Sequence, residues 1–193
     1  KARILDRFEI RGLPVRGVEE TIGFVQKHTW HGAAIGPIRR KGRWTLPSEV
    51  APEAVINAVA HTDYAQRGAP IRLAIFDDRL EVENPGLLPF GLAIDDLRRG
   101  VSTLRNRAIG RTFHALGLIE QWGSGIQRMT AACRATGLAA QVFEEIATRF
   151  RVTIATTRVG PSVVDATDEA ILESLGRAQD PKRRYFLAER GPA

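Results

Sequence analysis

The stretch Pro52 to Tyr64, PEAVINAVAHTDY, holds polar residues at a helical spacing that a helix built only for packing would not need. Read as a helix with Pro52 at its first position, it sets Glu53, Asn57 and His61 on one stripe at i, i+4 and i+8. Val55 and Val59 then point the opposite way, which is the face a core would take. A Glu able to accept a proton from water, one turn before an Asn whose oxygen can ligate a hard cation, is a fragment of a nucleotide-hydrolysing site. On this helix alone, a surface helix with ordinary solvated polar residues is the stronger reading.

Two later stretches add to it. Ile71 to Phe76 and Arg79 to Glu83 alternate as a hairpin about Asp77-Asp78, with Ile71, Leu73, Ile75, Leu80 and Val82 inward, and the second strand ends in Asn84-Pro85-Gly86. A polar acceptor followed by glycine at a strand end lets a flat ligand lie against backbone and be read by the side chain. Further on, Gly123-Ser124-Gly125 leads into a helix from about Ile126 to Thr136, stopped by Gly137. Glycines before a helix N-terminus admit phosphate close to backbone N–H groups. An isolated Asn-Pro-Gly, or an isolated Gly-Ser-Gly, is more often a simple turn.

The elements that must position these residues follow in order. Ile4 to Ile10 reads as a short strand and Val18 to His28 as a helix with Ile22, Phe24 and Val25 on its apolar side. Gly32 to Arg40 and Arg43 to Leu46 flank a Lys41-Gly42 turn as a hairpin. A short helix is expected near Ile94 to Arg99 and another from Arg107 to Leu116. Val142 to Ala147 and Thr148 to Ala155 close the pattern as strands, and Asp168 to Leu175 forms an amphipathic helix ended by Gly176. The remainder, from Gly176, reads as a mobile tail or packing arm. His28 and His31 lack a third ligand nearby and read as polar loop residues.

At 193 residues with 44% hydrophobic and 26% charged content, the chain has the size and balance of a globular domain with a flank. No apolar run approaches the roughly 20 residues of a membrane span, and no signal-peptide pattern opens the chain, so a cytoplasmic protein is expected. The lone Cys133 excludes an intrachain disulfide framework and a cysteine zinc cluster. A net charge of +6 admits DNA contact, with basic clusters at 39–43, 98–111 and 182–184, although such clusters are more often solvated turns or tails than docking surfaces. A P-loop of the form GxxxxGK[ST] is lacking, so the chain holds no conventional helicase motor.

The order of the three motifs resembles the ATP-binding fold shared by gyrase, histidine kinases and MutL, the GHKL superfamily. More closely, EAVINAVAHTDY, IFDDRLEVENPGLLP, LRNRAI and IEQWGSGIQRM resemble the C-terminal domain of bacterial and archaeal proteins labelled RecG-related ATP-dependent DNA helicases. The resemblance is strong over Pro47 to Ala155. It implies an α+β fold, a two-layer α/β sandwich of the GHKL (Bergerat) type, with a mixed sheet and helices on one face. ATP and Mg²⁺ are the implied ligands. Glu53 corresponds to the family's general base and Asn57 to its magnesium ligand. Gly86 matches the adenine-side glycine, and Gly123 and Gly125, with Ser124 between them, match the phosphate-side glycines beside a mobile lid. His61 and Asp63 are typical of the closer family and are expected to line the site. Asn84 is a departure: the wider superfamily has an Asp there to accept from the adenine amino group. An Asn still offers an oxygen, but its NH₂ then needs another partner.

In that family an AlbA/Schlafen-type domain usually comes first and a winged helix often follows. The expected organisation is residues 1–46 as a strand, helix and hairpin packed on the same domain, 47–157 as the ATP-binding domain, and 158–193 as a linker, short helix and tail. The start at Lys1 suggests a fragment lacking an N-terminal domain. The larger GHKL ATPases complete their site with a Lys or Arg from a following domain, and nothing after Ala155 supplies one, so hydrolysis should be slow or absent. The resemblance implies a nucleotide-binding regulatory domain of a transcriptional regulator, which meets DNA through neighbouring domains and can homodimerise. The alternative is a degenerate scaffold for dimerisation or DNA contact that binds no nucleotide.

Overall fold

A computed structural model describes residues 4–31, 43–44, 46–119, 123–158, 167–177 and 185–190. The elements are β1 (Asp6–Arg11), α1 (Pro14–Thr29), β2 (Trp30–His31), β3 (Arg43–Trp44), α2 (Val50–His61), β4 (Ile71–Ile75) and β5 (Arg79–Pro85). They continue with α3 (Ile94–Arg98), α4 (Arg107–Ala115), α5 (Gly125–Ala135), β6 (Val142–Ile146), β7 (Arg149–Ala155), α6 (Asp168–Arg177) and β8 (Tyr185–Arg190). The main sheet has the order β1-β8-β4-β5-β7-β6. Its β4-β5-β7-β6 part is antiparallel throughout, β8 is antiparallel to β4, and β1 runs parallel to β8, so the sheet is mixed.

Side-chain alternation assigns the two faces of the sheet. Ile71, Leu73, Ile75, Leu80, Val82, Phe143, Val152 and Ile154 are buried in the main core together with α1, α2, α4 and α5. The central helix is α2. Its Ala and Val residues are buried nearly all round, with Val59 at 0% exposure, because small side chains let neighbouring helices approach closely. Helix α2 begins at Val50 rather than Pro52, and Pro52 lies in the first turn, where its missing N–H has no intrahelical partner to lose.

Helices do not all lie on one face, contrary to the sequence-based expectation. Ile171 and Leu175 of α6 pack with Val142 and Ala155, which face away from Phe143 and Ile154 on the same two strands. The apolar stripe of α6 therefore finds its partner on the second face of the sheet. The stretch expected as a tail or arm also differs, since Tyr185–Arg190 forms β8 between β1 and β4. Inserted there, its backbone gains ladder partners on both sides. His28 belongs to α1 rather than a loop, bonded through Nε2 to Asp6 Oδ2 at 3.0 Å and set edge-on to Phe24. The Lys41-Gly42 turn lies outside the described residues, while the pairing of Trp30 with Trp44 and His31 with Arg43 is present. Among the described residues no helix is long and apolar enough to cross a membrane.

On the second face, Glu83 accepts from Arg149 Nε at 3.1 Å and Arg151 Nε at 2.8 Å. Burial pushes its carboxyl up, but the two guanidiniums win and hold it below the ordinary glutamate value. The interaction fixes β5 against β7 at the level of Asn84.

Candidate functional site

A cleft opens between α2, the inner face of β5, β6 and β7, and the loop that follows β5. Glu53, Asn57, His61, Asn84, Gly86, Gly123 and Gly125 all line it, and Ser124 does not. Three separate stretches of sequence thus converge. The stripe on α2 reaches the cleft because Val55 and Val59 are committed to the core. Asn84 reaches it because strand alternation carries it onto the same side as Leu80 and Val82. The walls are otherwise apolar, with Leu97, Met129, Phe143 and Val152 among them. Glu120 to Trp122, the start of the glycine motif, lie outside the described residues.

The amide of Asn57 donates through Nδ2 to Glu53 O at 2.9 Å and to Glu53 Oε1 at 3.0 Å. Its two donor positions are used on the helix itself, so its Oδ1 remains as the acceptor offered to a ligand. Asn84 is only 5% exposed, and its Nδ2 donates to Pro85 O at 3.1 Å. The NH₂ that distinguishes it from an Asp is thereby partnered, and Oδ1 is its remaining acceptor.

Gly86 has φ +102° and its N–H donates to Thr148 O at 2.8 Å. Asp63 N–H donates to Pro85 O at 2.8 Å, bringing the residue after the α2 C-cap against this turn. Arg105 closes the corner by donating to Leu87 O and lying 3.9 Å from Asp63 Oδ2. Next to it, Asn106 donates through Nδ2 to Ala60 O at 3.0 Å and Thr62 O at 2.7 Å. It satisfies carbonyls at the end of α2 that have no intrahelical partner. The LRNRAI motif is therefore the clamp between α4 and the end of α2, a role its residue types do not reveal in sequence.

Arg128 is not among the residues lining the cleft, but it holds one that is, a contact that sequence reasoning missed. It lies on α5, three residues after Gly125, and its Nη2 donates to Glu53 Oε2 at 3.1 Å. The one available signal was its place within the quoted IEQWGSGIQRM motif.

His61 is half-buried in the cleft wall, and its desolvation, helped by the nearby Arg105 charge, pushes its pKa down to about 4. It is a neutral imidazole at neutral pH. Because the folded value lies below the ordinary value of 6.5, the unfolded chain binds the proton first, and stability falls as pH drops from 6.5 toward 4. At pH 5 this removes about 2 kcal/mol relative to pH 7.5. Urea unfolding of the parent and of His61→Gln at the two pH values should show that difference shrinking in the variant; an unchanged acid slope would place the titration elsewhere.

The fold is thus a mixed sheet with a helical layer, and the site is a largely apolar cleft between them. Residues 68–154 match the family model described as "Putative ATP-dependent DNA helicase recG C-terminal". This is the family that the motifs resemble; the matched stretch contains Asn84, Gly86 and the Gly123 to Gly125 turn and begins after α2. Among solved structures, the chain is similar to the DIP2311 protein from Corynebacterium diphtheriae at TM-score 0.65 and 21% identity. That likeness, which shows the fold, covers 84% of this chain and 36% of that one, so this chain spans little more than a third of that protein's length. No curated protein matches the chain.

Proposed function

We propose that residues 47–157 are a GHKL (Bergerat) nucleotide-binding domain that takes ATP with Mg²⁺ and serves as the regulatory module of a cytoplasmic bacterial transcriptional regulator. The observation that carries this reading is the convergence of Asn57, Asn84 and the three glycines on one apolar-walled cleft. Asn84 Oδ1 would accept from the exocyclic amine of adenine, and the apolar walls would cover the base. Asn57 Oδ1 would hold the cation. Mg²⁺ is commonly bound through few protein ligands, phosphate oxygens and water. When bound, the cation would neutralise charge on the phosphates.

Glu53 is the group that would accept a proton from an attacking water. Its tie to Asn57 keeps one oxygen engaged, and slow hydrolysis or none belongs to the same reading. DNA contact through neighbouring domains, and a homodimer, belong to the same reading. The alternative, a degenerate scaffold that binds no nucleotide, draws on the missing acid at position 84.

A thermal-shift titration with ATP and Mg²⁺ tests the choice, run beside Asn57→Ala and Asn84→Ala. Ligand at 100 times its dissociation constant adds about 2.7 kcal/mol, which a melting curve resolves. The parent should shift and both variants should not. If nothing shifts at millimolar ATP, the nucleotide reading fails and a salt-dependent DNA-binding assay takes its place.

A further inference from the structure

Arg128, on α5 and outside the lining of the cleft, reaches Glu53, which lines it, from an element far away in sequence. The side chain of Arg128 is 44% exposed and that of Glu53 is 20% exposed, so the guanidinium caps the carboxylate from the solvent side. Glu53 is held from within as well. Its Oε1 accepts from Asn57, and it lies against Gly125 so closely that a Cβ there would sit 1.6 Å from it. The glycine leaves the space that the carboxylate fills. An anion is thus seated between Asn57, Gly125 and Arg128.

A half-exposed ion pair of this kind is weak and exchangeable. Arginine presents a planar fork of donors that fits phosphate as well as carboxylate. A polyphosphate entering beside Gly123 and Gly125 would bring more negative charge than the single carboxylate, and it would repel Glu53 unless a cation stood between them.

We infer that Arg128 is the phosphate-side cation of the cleft, kept on Glu53 until the terminal phosphates of a bound nucleoside triphosphate take over its guanidinium. The inference rests on the nucleotide reading above. The transfer also frees one side of Glu53, while Asn57 keeps the other oxygen in place. Engagement of Glu53 with water would therefore depend on the terminal phosphates being present.

Isothermal titration of the whole chain with Mg²⁺-ATP and, separately, with adenosine tests it. Arg128→Ala should weaken ATP binding about tenfold or more, the loss of a charged hydrogen bond, and leave adenosine binding within about twofold. Arg128→Lys should recover part of the ATP affinity. Glu53→Gln should tighten ATP binding, since it removes a charged competitor for Arg128. If Arg128→Ala keeps the parent's preference for ATP over adenosine, Arg128 is a strut for Glu53 and the inference fails while nucleotide binding stands. Glu53→Gln binding ATP as poorly as Arg128→Ala overturns it equally. A parent that binds neither probe overturns the nucleotide reading and this inference together.

Discussion

Phe113→Ala should destabilise the protein by about 3–5 kcal/mol, the range for emptying an aromatic site in a close-packed core. Phe113 has 0% exposure and belongs to the main core with Val55, Val59 and Met129. It is the large anchor of α4, whose other buried residue is Gly110. Removing a ring from such a site carries both a transfer and a cavity term. The polar half of the α4 attachment is Asn106 on Ala60 O and Thr62 O, which remains when the ring is gone. Urea unfolding should show a lower midpoint with an unchanged slope. A loss below about 1 kcal/mol would mean that α4 contributes little to the cooperative unit and that the Asn106 clamp alone sets its position.

The legible parts of the site share one property: each side chain's direction follows from a local period. Glu53, Asn57 and His61 recur at the helical spacing, and their common exposure to the cleft follows once Val55 and Val59 are assigned to the core. Asn84 follows from the alternation that buries Leu80 and Val82. The hairpin of β4 and β5 and the last strands β6 and β7 were equally readable, within a residue or two at their ends. What was not readable depends on contacts between distant stretches. Arg128 looks like a solvated helical arginine, and only the tertiary approach of α5 to α2 brings it to Glu53. Arg105 and Asn106 act on backbone oxygens of Leu87, Ala60 and Thr62, and a backbone acceptor leaves no mark in the sequence.

The same reason accounts for the misread C-terminal region. A six-residue strand, Tyr185–Arg190, that follows Lys182-Arg183-Arg184 has too short an alternation to stand out from a charged tail. Its partners, β1 and β4, lie far away in the chain. Likewise the apolar stripe of α6 predicts that the helix packs, but not on which face. That is decided by Val142 and Ala155, whose outward direction leaves an apolar patch on the second face.

Gly86→Ala should cost about 2–4 kcal/mol, combining the strain of a positive φ with overpacking. At φ +102° any side chain is strained, and here a Cβ would also meet Arg105 Nη1 at 2.7 Å and Asp63 Cβ at 2.9 Å. A long side chain can normally swing aside, but Arg105 is engaged by Leu87 O and by Asp63. Asp63 has less freedom still: its N–H is bonded to Pro85 O, and its carboxylate accepts from Ala65 N–H at 3.1 Å and Gln66 Nε2 at 3.1 Å. Relief would therefore push the Asp63 turn away from β5 and widen the cleft where Gly86, Asn84 and His61 line it. Gly91 offers the control. It too has positive φ, +83°, but nothing lies within 4 Å of its Cβ position, so Gly91→Ala should cost only the backbone strain of about 1–2 kcal/mol. Urea denaturation of both variants isolates the crowding at Gly86 as the difference between them. Adding Arg105→Ala to Gly86→Ala should recover only part of that difference, since the contact with Asp63 Cβ remains. If the two glycine variants are equally destabilised, the close approach of Asp63 and Arg105 to the strand end does not constrain the cleft, and the corner is free to open for a ligand.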